Sequence, residues 1–167
     1  METKGTRKSK AGLRGMARFC AIQVLYRNEF EKLSVKQLID AIEKNREAFI
    51  SEEISTTDMD KDFFKKLLES ASLNVGYLDD MISRKLSNDW KIERLDPVVR
   101  CILRLGLTEL KFFQEIPANV VFNEYIEISK AFFENRDVAF INGLLSEAFN
   151  EIKNHHTTHN NPYTTLL

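Results

Sequence analysis

From residue 7 to residue 26 the chain alternates apolar and basic positions with a helical period. At about 100° per residue, Leu13, Met16, Ala17, Cys20 and Val24 collect on one arc, while Arg7, Arg14 and Arg18 collect on another with Lys10 nearby. The first element is therefore an amphipathic helix with one side to bury and one that can meet an anion. Ser34 and Gln37 form a capping-box pattern. Val35, Leu38, Ile39 and Ile42 follow at i, i+3, i+4 and i+7, predicting a second helix over 35–49. The polar stretch 51–58 reads as a loop into a third helix near Asp60, whose apolar face is Phe63, Phe64, Leu67, Leu68 and Ala71. Val75, Leu78, Met81, Ile82 and Leu86 continue the helical period after a bend near Asn74, as one kinked helix or two.

The polar stretch 87–94 is the expected subdomain boundary, with Trp90 as a core plug closing it. Asp96 followed by Pro97 is a strong helix start, and Val98, Val99, Ile102, Leu103, Leu107 and Leu110 form an apolar stripe as far as about Phe112. Arg100 and Arg104 at i, i+4 suggest a basic edge on that helix. Ile116-Pro117 opens another helix through about Phe133, with Val120, Val121, Tyr125, Ile128, Ala131 and Phe132 expected inward. After a short turn at Asn135-Arg136-Asp137, Phe140, Ile141, Leu144, Leu145, Ala148 and Phe149 define a last helix over 138–152. Residues 154–167 lack a period and are expected to be a disordered tail. Four segments follow: a basic flexible arm 1–12, helical subdomains 13–88 and 89–153, and the tail.

Composition supports an all-α reading, because six Gly and three Pro in 167 residues leave little material for a turn-rich β fold. A net charge of −1 hides a basic pole: residues 1–30 hold seven basic side chains against two acidic ones. Such a distribution suits a protein that meets a polyanion at one end. Cys20 and Cys101 lie in apolar helical patterns and read as buried reduced thiols. With no run of 18 apolar residues and no signal-peptide pattern, the expected location is cytoplasmic.

The chain contains no G-x-G-x-x-G, P-loop, G-x-S-x-G or H-E-x-x-H pattern, and all three histidines fall in the tail. His155, His156 and His159 lack accompanying Cys or carboxylate ligands, so no metal is expected. Asp79-Asp80 and Glu52-Glu53 read as solvated surface. The chain reads as a binding protein, not an enzyme, and no cofactor is expected.

Five motifs carry a family resemblance. They are R-x-x-A-R-x-x-A-x-Q-x-L-Y (Arg14, Ala17, Arg18, Ala21, Gln23, Leu25, Tyr26), W-x-x-x-R-L (Trp90, Arg94, Leu95) and L-R-L-G-x-x-E-L (Leu103 to Leu110). The others are I-P-x-x-V-x-x-N-E-x-I-E-I-S-K (Ile116 to Lys130) and F-I-N-G-L-L (Phe140 to Leu145). In this order and spacing, over roughly residues 11–153, the chain resembles the NusB family. The resemblance implies an all-α fold of two small perpendicular helical bundles, about seven helices in all. It implies an RNA-binding transcription antitermination factor that pairs with NusE, a small-subunit ribosomal protein, on the boxA element of ribosomal RNA transcripts, within an RNA polymerase antitermination complex. It also implies that a homodimer can form, since some members self-associate.

Carried over by position, the resemblance assigns RNA binding to Arg7, Lys8, Lys10, Arg14, Arg18, Tyr26 and Arg136, and partner binding to Tyr26, Val99 and Phe140. The basic run departs from the family pattern at Gly15 and Met16. Gly12 and Gly15 each cost about 1 kcal/mol of helix propensity relative to Ala, so the segment before Met16 is expected to be an arm that orders on RNA. Asn123, Glu124, Asn142 and Gly143 are expected to be structural, making buried hydrogen bonds and a close helix approach. Two rival readings stand beside this one. One is the NusB-like front domain of a ribosomal RNA cytosine methyltransferase, if the 167 residues are a piece of a longer chain. The other is a protein–protein adaptor that meets no RNA.

Overall fold

The computed structural model of the chain describes residues 9–44 and 59–159, with side chains as far as His155. Among the described residues are seven α-helices and one 3-10 turn, with no strand. The chain forms two compact units, Met1–Asn74 and Val75–Leu167. The expected loop over 51–58, Glu52, Glu53, Arg7, Lys8, residues 160–167 and the side chains of His156 and His159 lie outside the described part.

In the first unit, α1 (Lys10–Glu31) begins where the Ser9 hydroxyl accepts a bond from the Gly12 amide at 3.2 Å. A serine cap contributes about 1 kcal/mol, enough to offset one of the two early glycines. Residues 10–12, expected in the arm, are therefore helical. α1 also continues beyond Tyr26 to a left-handed Lys32 (φ 52°). α2 (Val35–Lys44) starts with the expected capping box: the Ser34 amide donates to Gln37 Oε1 at 3.0 Å and the Gln37 amide to Ser34 Oγ at 3.3 Å. α3 (Lys61–Leu73) is capped by Asp60, and both α1 and α2 pack on it. Of the predicted arc on α1, Ala17, Cys20 and Val24 are buried without exposure and Leu13 and Met16 are half-buried; Ala21, Leu38, Leu67 and Leu68 complete the buried set. Desolvation pushes the Cys20 thiol up to about 11, so it is an inert core group.

The second unit contains α4 (Val75–Ser83), a 3-10 turn at Ile92–Arg94, α5 (Pro97–Phe112), α6 (Ala118–Lys130) and α7 (Asn135–His159). Asn74 ends α3, so the segments before and after it are two helices. α5 packs on α4, α6 and α7. Its buried set runs around the whole helix from Val99 to Leu110, as expected for a central helix. Gly106 permits the close approach of α7, because a Cβ there would lie 3.0 Å from Leu145 Cδ2. Three polar groups taken inside are paired: Tyr125 Oη donates to Glu109 Oε1 at 2.7 Å, Thr108 Oγ1 to the Arg104 carbonyl and Ser129 Oγ to the Tyr125 carbonyl.

Several elements differ from the expectation. The units divide between residues 74 and 75, ahead of the expected 88/89, because α4 packs on α5 and α7. Trp90 is exposed, since Ile92 and Leu95 already fill the turn before α5. α7 starts at Asn135 and stays helical to His159, so residues 154–159 are not a disordered tail. Val120, Phe132 and Phe140 are exposed, and α6 ends at Lys130. Asn123, Asn142 and Gly143 face solvent, and a Cβ at Gly143 would meet nothing within 4 Å, so the close approach belongs to Gly106.

Candidate nucleic-acid interface

The first turns of α1 hold Lys10, exposed, and Arg14, half-buried, with no acidic residue in the first turn. Cations at the positive end of a helix dipole are unfavourable by about 0.3–1 kcal/mol. The same end, with its free amides, favours an anion. The local field thus opposes these cations on the protein alone and suits an external phosphate.

Arg14 and Arg18, one turn apart, have different surroundings. The Arg18 residue is 2% exposed, with its guanidinium carbon 5.1 Å from the centre of the Phe63 ring. It is part of the packed first unit, not of the exposed surface where an RNA contact was expected. The physical reason is position along the axis: Arg14 precedes the buried stretch of α1, which starts at Ala17, whereas Arg18 lies within it beside Ala17, Ala21 and Ile22. Arg14 lies over the same ring at 4.9 Å but keeps 28% of its side chain exposed, and its Nε meets Asp60 Oδ2 at 3.4 Å. No bond from its terminal nitrogens occurs among the described residues.

At the far end of α1, Tyr26 is exposed and packs edge-to-face on Phe30 with 5.4 Å between ring centres. Phe30 is 67% exposed. It belongs with Tyr26 at i, i+4 on the outward face and was missed because the predicted helix stopped at Tyr26. Beside them Arg27 Nε donates to Glu31 Oε1 at 2.6 Å. Lys10 and Arg14 therefore provide charge at one end of α1, and Tyr26 with Phe30 provides aromatic surface at the other, roughly 18 Å away along the axis.

In the second unit, Arg136 and Phe140 are exposed at i, i+4 in the first turns of α7. Val99, expected at a partner surface, is 6% exposed within the first turns of α5, among the core residues. The expected basic edge of α5 is also absent. Arg104 is engaged bidentately by Asp79, Nε to Oδ1 at 2.7 Å and Nη2 to Oδ2 at 2.8 Å, and Arg100 Nη1 donates to the Ile92 carbonyl at 3.1 Å. Asp79, expected at the solvated surface, is thus half-buried in its pair with Arg104, while Asp80 is exposed as expected and pairs with Arg84. Arg84 and Lys85 on the α4 side both reach Glu151 of α7 at 2.6 Å, which holds the Glu151 carboxyl below the usual range. Among the described residues no group of three or more His, Cys, Asp or Glu side chains is arranged to hold a metal, and no helix is long and apolar enough to cross a membrane.

An all-α chain of two helical units, with cations at the start of its first helix and exposed aromatic rings further along, has the form of a polyanion-binding helical protein. The NusB family model matches residues 16–150, and the chain belongs to the NusB family. It is 34% identical to the transcription antitermination protein NusB of Sphingopyxis alaskensis over 144 residues, covering 86% of this chain and 97% of that one. It is 36% identical to the same protein of Caulobacter vibrioides over 132 residues, 79% and 89% of the two chains. Among solved structures, T. maritima NusB aligns with a TM-score of 0.67 at 26% identity, over 87% of this chain and 94% of that one. A crystal structure of antitermination factors NusB and NusE in complex with dsRNA aligns with a TM-score of 0.65 at 28% identity, over 82% and 96%.

Proposed function

We propose that this chain is a non-catalytic transcription antitermination factor of the cytoplasm that binds boxA-like single-stranded RNA of ribosomal RNA transcripts together with NusE, within an RNA polymerase antitermination complex. The observation that carries the RNA and NusE part of the reading is the NusB–NusE–dsRNA neighbour, which this chain matches along most of its length; the single-stranded boxA target comes from the family resemblance. The basic start of α1 supports it locally. Lys10 and Arg14, with Arg7 and Lys8 preceding them, supply phosphate contacts; Tyr26 offers a ring to an unstacked base, and Arg136 a further cation. Tyr26 and Phe140 are the proposed NusE contacts. NusE strengthens the complex by adding protein contacts and RNA-binding surface to the same assembly.

Titration of labelled boxA-like RNA at several salt concentrations, with and without NusE, tests this. About four phosphate contacts give a log–log slope near −3, at about −0.7 per contact on a single strand. Arg14→Ala reduces the slope by about 0.7, and Tyr26→Ala weakens binding with little change in slope. A flat salt response, or no gain from NusE, overturns the reading. Partner capture that is wholly resistant to ribonuclease favours the adaptor instead.

A further inference from the structure

Asp60 joins α1 to α3 through three separate bonds. Its amide donates to the Leu13 carbonyl at 3.1 Å, its Oδ1 accepts from the Phe63 amide at 3.0 Å, and its Oδ2 faces Arg14 Nε at 3.4 Å. The first bond fixes the start of α3 beside α1. The second caps α3 and places the Phe63 ring one turn along. The third engages only the inner nitrogen of Arg14, whose guanidinium lies over that ring. An arginine side chain is long and ordinarily loses much rotamer freedom on binding. Here the guanidinium is held at its Nε edge and over one ring, while among the described residues both Nη groups, the pair that suits two oxygens of a phosphate, stay available. Arg18 lies on the same ring and is buried.

We infer that Asp60, with Phe63, is a positioning residue that pre-orients Arg14 for an RNA phosphate. The inference rests on the proposed RNA contact of Arg14 and adds the residues that aim it. Asp60 is in the first unit, touches no proposed RNA group other than Arg14 among the described residues, and acts by lowering the ordering cost of binding. A carboxylate that served instead as a competing counter-ion would weaken RNA binding, so the two roles differ in sign.

The test is a double-mutant cycle read by titration of labelled boxA-like single-stranded RNA, with Asp60→Asn and Arg14→Ala singly and combined. Asn caps a helix about as well as Asp, so α3 keeps its start while the charge is lost. Asp60→Asn is expected to weaken binding about three- to fivefold with Arg14 present and to have no effect in the Arg14→Ala background. In RNA-free protein, the Arg14 Nε–H resonance is expected to exchange slowly in the wild type and rapidly in Asp60→Asn. Tighter binding by Asp60→Asn, or the same loss in both backgrounds, overturns the positioning role and leaves the RNA contact of Arg14 standing. Unchanged binding by Arg14→Ala overturns both. If Asp60→Asn fails to fold, Asp60→Ser, which also caps, carries the same cycle, and rapid Nε–H exchange in the wild type overturns the inference.

Discussion

Two arginine pairs have the same spacing, Arg14 and Arg18 on α1 and Arg100 and Arg104 on α5, and they end in different states. On α5 the neighbouring α4 offers Asp79 at bidentate range, and the turn before the helix offers the Ile92 carbonyl, so both guanidinium groups serve the fold. On α1 the inner member is buried over Phe63, while the outer is held at one edge only. A cationic stripe in a sequence thus defines a helix face. Whether that face meets solvent depends on which acids and rings the adjacent helices bring to it.

The sharpest way to break this comparison is to remove the α5 partner. Asp79→Ala leaves a guanidinium that is 13% exposed without its carboxylate, and thermal or denaturant unfolding should show a loss of about 2–3 kcal/mol. RNA affinity of the folded protein should stay within a factor of two of wild type; a large specific loss would return α5 to the RNA surface. Arg18→Ala comes next, with a loss of about 2 kcal/mol from emptied core volume and the broken ring contact. The salt slope of RNA binding should be unaltered, whereas a slope reduced by about 0.7 would restore Arg18 to the phosphate contacts.

The smallest effect concerns Glu151, paired with Arg84 and Lys85 in the second unit. Its folded carboxyl titrates below the ordinary 4.5, so its contribution is present above that value and fades as pH falls through the lower folded pKa. Wild type should exceed Glu151→Gln by less than about 1 kcal/mol near neutral pH, because these side chains remain partly exposed. The gap should close on acidification below 4.5; a gap independent of pH would show that packing, not charge, joins α4 to α7.

Local signals were most legible where one residue type has one local use. Ser34 with Gln37, Asp60, and Asp96 before Pro97 marked helix starts that the structure reproduces, because a cap needs only atoms within three or four residues. Trp90 and Val120 were misread because aromatic and aliphatic side chains satisfy the same pattern whether or not a neighbouring helix covers them. The family motif misled in a similar way at Asn142 and Gly143, which are exposed on α7, while the glycine that packs closely is Gly106.

For the candidate interface, Lys10, Tyr26, Arg136 and Phe140 were named from sequence and lie on the surface. Arg18 and Val99 were named and are buried, and Phe30 was found only when α1 continued past its expected end. The amino-acid order by itself determined the all-helical class, most helix starts, the basic first helix and the family, since these depend on short-range periodicity and on motif spacing. The tertiary structure decided which cations remain available. That outcome depends on Asp60, Phe63 and Asp79, contributed by other helices, whose charge and volume act only once the chain has folded.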